Sequence, residues 1–141
     1  MTVQQILFLT ALGVAVFVAF RHGGRDERAT AIALLVATVL SAVALSHDYA
    51  SPEVGVLLVD MALFTVLAMI ALRSAAFWPI WAAGFQLCTL AVHLAAAKMP
   101  AMMPGAYAET LVIWSYPVLA ALGFGAWFEA GNRRGNRRGQ S

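Results

Sequence analysis

Apolar and polar positions alternate along this chain on the scale of whole helices. Runs at 3–20, 29–46, 54–72, 77–97 and 107–129 are almost wholly apolar, and short polar or Gly- and Pro-containing stretches separate them. Each run matches the ~20 residues that a helix rising about 1.5 Å per residue needs to cross ~30 Å of hydrocarbon. The pattern predicts an all-α, polytopic membrane bundle of five transmembrane helices over 1–130, followed by a polar tail at 131–141.

The fourth run has the clearest internal order. From Phe77 to Lys98, Ala82, Gln86, Thr89 and His93 follow one another at steps of four, three and four, so they share one helical face. Ile80, Phe85, Leu87, Leu90, Val92 and Leu94 occupy the other faces. Such a helix turns its stripe to protein and the rest to lipid. In the second run Thr30, Ala33, Ala37, Ser41, Ala44 and Asp48 make a face of small side chains, which lets backbones approach closely where packing drives association. Gly123 and Gly125 allow close contact in the fifth run, and Pro117 is expected to kink it near Ile113. Phe77, Trp78 and Trp81 are expected in an interfacial aromatic belt. No basic residue precedes the first run, which therefore reads as a retained helix and not as a signal peptide.

Composition excludes a water-soluble domain: 62% of the 141 residues are hydrophobic and 11% charged, where soluble domains average ~25% charged. Cys88 is the single cysteine, so there is no intrachain disulfide and no Cys-based metal site. Charge sets the orientation. With an odd number of crossings Arg21, Arg25, Arg28, Arg73, Arg133, Arg134, Arg137 and Arg138 fall on one side and Lys98 alone on the other. The positive-inside rule then places the N-terminus outside and the C-terminus in the cytoplasm. The repeat in GNRRGNRRGQS is too polar and Gly-rich to pack, so the tail is expected to be disordered, with Arg133, Arg134, Arg137 and Arg138 on anionic lipid head groups.

On that topology the ionisable side chains within or bordering the runs gather toward the outer side. Asp48 ends the second run, Asp60 lies ~10 Å into the third, His93 is near the outer end of the fourth, and Glu109 begins the fifth. An ionised acid in hydrocarbon costs at least ~2.5–3.5 kcal/mol, so Asp60 is expected to be protonated, to pair with His93 or to face water. One arrangement reconciles these residues: a pocket open to the outside, walled by Asp48, Asp60, His93 and Glu109, with Gln86, Thr89 and Tyr116 deeper. Tyr116 joins the set because it follows Glu109 by seven residues. The pocket would suit a cation, a proton or a small polar ligand, and an imidazole beside a carboxylate is a candidate pH-sensitive element. The plainer alternative is that Asp60 and His93 only hold two helices in register.

Other chemistry finds less support. A b-type haem held by His47 and His93 lacks the second ligand pair typical of electron-transfer cytochromes, and His47 is almost in the loop. A cuprous site of Met99, Met102 and Met103 with His93 competes with plain packing of a Met-rich loop against head groups. No cofactor or metal is therefore expected. Catalytic residues are not expected either, since nucleophile-base-acid arrangements, HExxH and phosphate loops are all missing. The arginines are too few and too free of aromatic interleaving for nucleic acid.

The stretch from Arg73 to Ala96, through Phe77-Trp78-Pro79, Trp81-Ala82-Ala83-Gly84-Phe85-Gln86-Leu87 and His93-Leu94, resembles the corresponding element of small bacterial inner-membrane proteins of about this length. The resemblance implies a multi-pass location in the bacterial cytoplasmic membrane and brings no assigned activity. Two functions follow as expectations. One is an accessory, scaffold or assembly component, which docks to itself or to a larger membrane complex through the small-residue seams of the second and fifth helices. The other is a small ion- or proton-coupled transporter built on Asp60, His93 and Glu109, although the internal repeat usual in carriers is missing.

Overall fold

The computed structural model describes residues 3–46, 52–98 and 104–138, with side chains over 3–44, 54–98 and 110–136. It consists of α1 (Val3–His22), α2 (Arg25–Ser46), α3 (Pro52–Arg73), α4 (Trp78–Lys98) and α5 (Pro104–Arg138). All five are long and apolar enough to cross a membrane. His47, Asp48, Met99, Met102 and Met103 lie outside the described residues, as does the side chain of Glu109.

Each helix packs on the next in sequence, and α5 closes back on α1, so the five form a ring, with α2 also touching α5. Leu12, Leu34, Leu63, Leu67, Leu119 and Leu122 fill the interior. Large apolar side chains such as Phe17, Leu58, Leu72 and Phe128 cover the outside, the arrangement hydrocarbon favours because lipid is as good a solvent for them as the core.

The small-residue face of α2 is used up inside this ring. Ala33 and Ala37 pack against the core, and a side chain at Gly55 of α3 would meet the Ala44 methyl at 2.9 Å. In α5, Gly125 faces the ring of Trp78 so closely that no Cβ would fit. Part of the small-residue seams thus joins helices of the same chain, α2 to α3 and α5 to α4, whereas Gly123 on α5 faces open space.

Two boundaries differ from the expected ones. α2 begins at Arg25, four residues before the apolar run. Its start is set by Gly24, whose N–H donates to Glu27 Oε2 at 2.6 Å, the reach of a third-position acid back to the capping residue. α5 continues through Pro117 and on to Arg138, 35 residues in all, or ~52 Å against ~30 Å of hydrocarbon. Residues 131–138, expected to be disordered, are therefore helical. Arginine is a good helix former, at a cost of ~1 kcal/mol for each glycine in the segment. Arg133 also ties the extension down by donating from Nη2 to the His22 carbonyl at 3.4 Å, an acceptor at the end of α1.

That contact places arginines from distant parts of the sequence at one end of the bundle. Arg28 donates to the Phe20 carbonyl there, and Arg25 and Arg133 share one hollow with Asp26, Glu27 and Glu129.

Candidate functional site

Within the apolar ring one carboxylate is held from two turns of a neighbouring helix. Asp60 leaves α3 toward α4, where Gln86 and His93 stand two turns apart on the inward stripe. Gln86 Nε2 donates to Asp60 Oδ1 at 3.0 Å, and His93 Nε2 lies 2.8 Å from Asp60 Oδ2. The His93 side chain is 2% exposed and that of Asp60 16%. The stripe of Ala82, Gln86, Thr89 and His93 is buried throughout, as its spacing predicts. Lipid facing these residues would leave them without partners, so the interior is the one place where the acid, the amide and the imidazole satisfy one another.

Asp60 and Gln86 also face a central cavity of about 110 Å³ to which all five helices contribute, among them Phe8 of α1, Ser41 of α2 and Ser115 of α5. It has room for about three waters at ~30 Å³ each. Its polar lining is biased toward acceptors. Thr38 Oγ1 donates its proton to the Leu34 carbonyl at 2.8 Å, and Ser115 Oγ to the Leu111 carbonyl at 3.0 Å. Both hydroxyls, having donated to their own helices, offer lone pairs to the cavity beside Asp60.

The structure brings together Asp60, His93 and Gln86 but not Tyr116. Tyr116 stacks edge-on against Phe8, with centroids 6.3 Å apart, and lines a groove between α1 and α5. Its neighbour Ser115 takes the inward position, about 100° around the helix. Spacing from Glu109 fixes which residues share a face, while the packing of α5 decides which face turns in.

A second buried carboxylate, unmarked by the sequence reading, sits at the arginine-rich end. Glu27 is 3% exposed. Besides capping α2 with Oε2 it accepts the indole N–H of Trp78 on Oε1 at 3.1 Å. Trp78, expected in an aromatic belt, is thus turned inward, whereas Phe77 and Trp81 are exposed as the belt requires. Thr30 follows Glu27 on the same face, fully buried, and its hydroxyl makes no hydrogen bond among the described residues.

Fold and site together define a five-helix bundle of membrane-spanning type with a carboxylate–imidazole–amide network at its centre. Neither family models, nor curated proteins, nor solved structures match this chain, so its chemistry has to be argued from this geometry.

Proposed function

We propose that this protein is a small multi-pass component of the bacterial cytoplasmic membrane that exchanges a proton for a small monovalent cation at Asp60. The observation that carries the reading is the position of Asp60, bonded to His93 and facing an acceptor-lined cavity shared by all five helices. Charge conservation supplies the argument. With one proton shared between carboxylate and imidazole the site is neutral overall, whichever side chain carries it. Removing that proton leaves one negative charge between the helices, which the Gln86 amide offsets in part and an entering cation would neutralise. A cation entering beside Asp60 would find the Thr38 and Ser115 hydroxyl oxygens in the same cavity lining, their protons already given to their own helices.

The clustering of arginines at one end supports a cytoplasmic assignment for that end by the positive-inside rule. Asp60 lies nearer the opposite end of α3, eight residues from Pro52 and thirteen from Arg73, which favours exchange from the extracytoplasmic face.

A second reading has its own observation. Both Asp60 oxygens are already engaged, Oδ1 by the Gln86 amide and Oδ2 by the His93 ring, which suits a purely structural clamp within an accessory subunit. Proteoliposomes with a pH-reporting dye separate the two. On the exchange reading, adding sodium or potassium at the extracytoplasmic face releases protons. Asp60→Asn, which keeps the shape but not the charge, abolishes that release at unchanged protein yield. A wild-type protein with no cation-dependent proton signal, combined with lower abundance of Asp60→Asn, would leave only the clamp.

A further inference from the structure

A groove of about 750 Å³ runs between α1 and α5, lined by Ala11, Val18, Tyr116, Gly123 and Trp127 and reaching His22. His22 also lines an adjoining hollow with Arg21, Arg133 and Arg134. The apolar groove thus meets the basic hollow at His22. Its apolar stretch, Ala11 to His22, rises ~16 Å along α1, about half of a ~30 Å hydrocarbon core. That is the depth of a single leaflet.

We propose that this depression holds an anionic phospholipid, with its phosphate among Arg21, Arg133 and Arg134 and one acyl chain along the α1–α5 groove. Charge complementarity selects the occupant. No carboxylate lines the hollow, and neither Arg21 nor Arg134 has a hydrogen bond or ion pair among the described residues. Arg133 is held in place by its bond to the His22 carbonyl and lies against Gly24 on the side of the neighbouring acid-bearing hollow, so Arg21 and Arg134 offer the phosphate most of their N–H groups. The groove of similar size between α4 and α5 makes the contrast, because its polar end carries Glu129 and Asn132 in place of a basic cluster. A lone arginine tail attracts any anionic surface; here the helical extension of α5 turns that attraction into a site with a fixed geometry. The site is remote from Asp60 and does not depend on the exchange reading.

The test is native mass spectrometry of the full chain released from detergent containing equimolar phosphatidylglycerol and phosphatidylcholine with the same acyl chains. The wild type should retain phosphatidylglycerol over phosphatidylcholine by about tenfold or more. Arg21→Gln with Arg134→Gln should bring the two to parity. Gly123→Leu fills the groove where a side chain meets nothing within 4 Å; it should reduce retention of both lipids with no change in thermal melting. Millimolar inorganic phosphate should displace neither lipid. Equal retention of both lipids by the wild type would overturn the proposal, as would a preference that survives the arginine changes. Displacement by inorganic phosphate, with Gly123→Leu inert, would also overturn it by reducing the site to a bare anion hollow.

Discussion

Asp60→Ala is expected to destabilise the bundle by about 2 kcal/mol, a value bracketed by two effects. Interhelical hydrogen bonds in a bilayer average only ~0.6 kcal/mol, because the separated helices find other partners in lipid. Buried polar groups that lose a partner cost more, ~1–3 kcal/mol each, and Asp60→Ala takes the acceptor from Gln86 Nε2 and removes the Asp60 contact of His93 Nε2. The second effect dominates because His93 and Gln86 are almost fully buried and cannot turn to water. Asp60→Asn should cost less, since the amide oxygen still accepts from Gln86. The changes should also be coupled: Asp60→Ala with His93→Ala loses less than the sum of the single losses, because each removes the same contact. Thermal unfolding in detergent of the four proteins of this cycle measures it. Strict additivity would mean that the two side chains do not interact.

The second large effect is expected at Gly125. A Cβ there would overlap Cγ, Cδ1 and Cδ2 of Trp78, so the ring would have to shift. It is 8% exposed and tethered through Nε1 to Glu27. Gly125→Leu therefore combines overpacking, ~1–3 kcal/mol, with loss of a donor to a buried carboxylate, of similar size at ~1–3 kcal/mol. Trp78→Ala opens the same space, so in that background Gly125→Leu should cost much less. Glycine as such is not the cause, because Gly123, two residues earlier, has open space and Gly123→Ala should change stability by no more than ~0.5 kcal/mol. A melting series over these four variants checks the argument, and equal losses at Gly123 and Gly125 would contradict it.

Much of this architecture was legible in the chain. The five spans follow from run length, since nothing but a helix satisfies so many backbone groups in hydrocarbon without a sheet partner. The inward stripe of α4 follows from its spacing, and the pairing of Asp60 with His93 from the cost of a lone acid there. What escaped was rotation and context. Ser115 and Tyr116 differ by one position, and only the packing of α5 against α1 decides which of them reaches the central cavity. Glu27 was hidden among Arg25, Asp26 and Arg28, where a charge reads as solvated. Two signals were nevertheless present. Glu27 stands three residues after Gly24 in capping-box spacing. It also leads Thr30, Leu34, Ala37 and Ser41 at steps of three, four, three and four, so the same periodicity that exposed the α4 stripe marks it as inward. The helical extension of α5 escaped because composition argues against order in a Gly-Arg repeat, whereas the tie from Arg133 to α1 is a tertiary contact no local pattern encodes.

That an acid and an imidazole meet between α3 and α4 inside the membrane is the claim on which the exchange chemistry stands. Solid-state NMR in lipid bilayers reaches it directly, through a through-space correlation between a ¹⁵N-labelled His93 ring and the ¹³C-labelled side-chain carboxyl of Asp60. With Nε2 and Oδ2 2.8 Å apart, a strong cross-peak is expected, and Asp60→Asn should move the His93 ring nitrogen shifts. No cross-peak, together with an Asp60 carboxyl in contact with lipid acyl chains, would contradict the account.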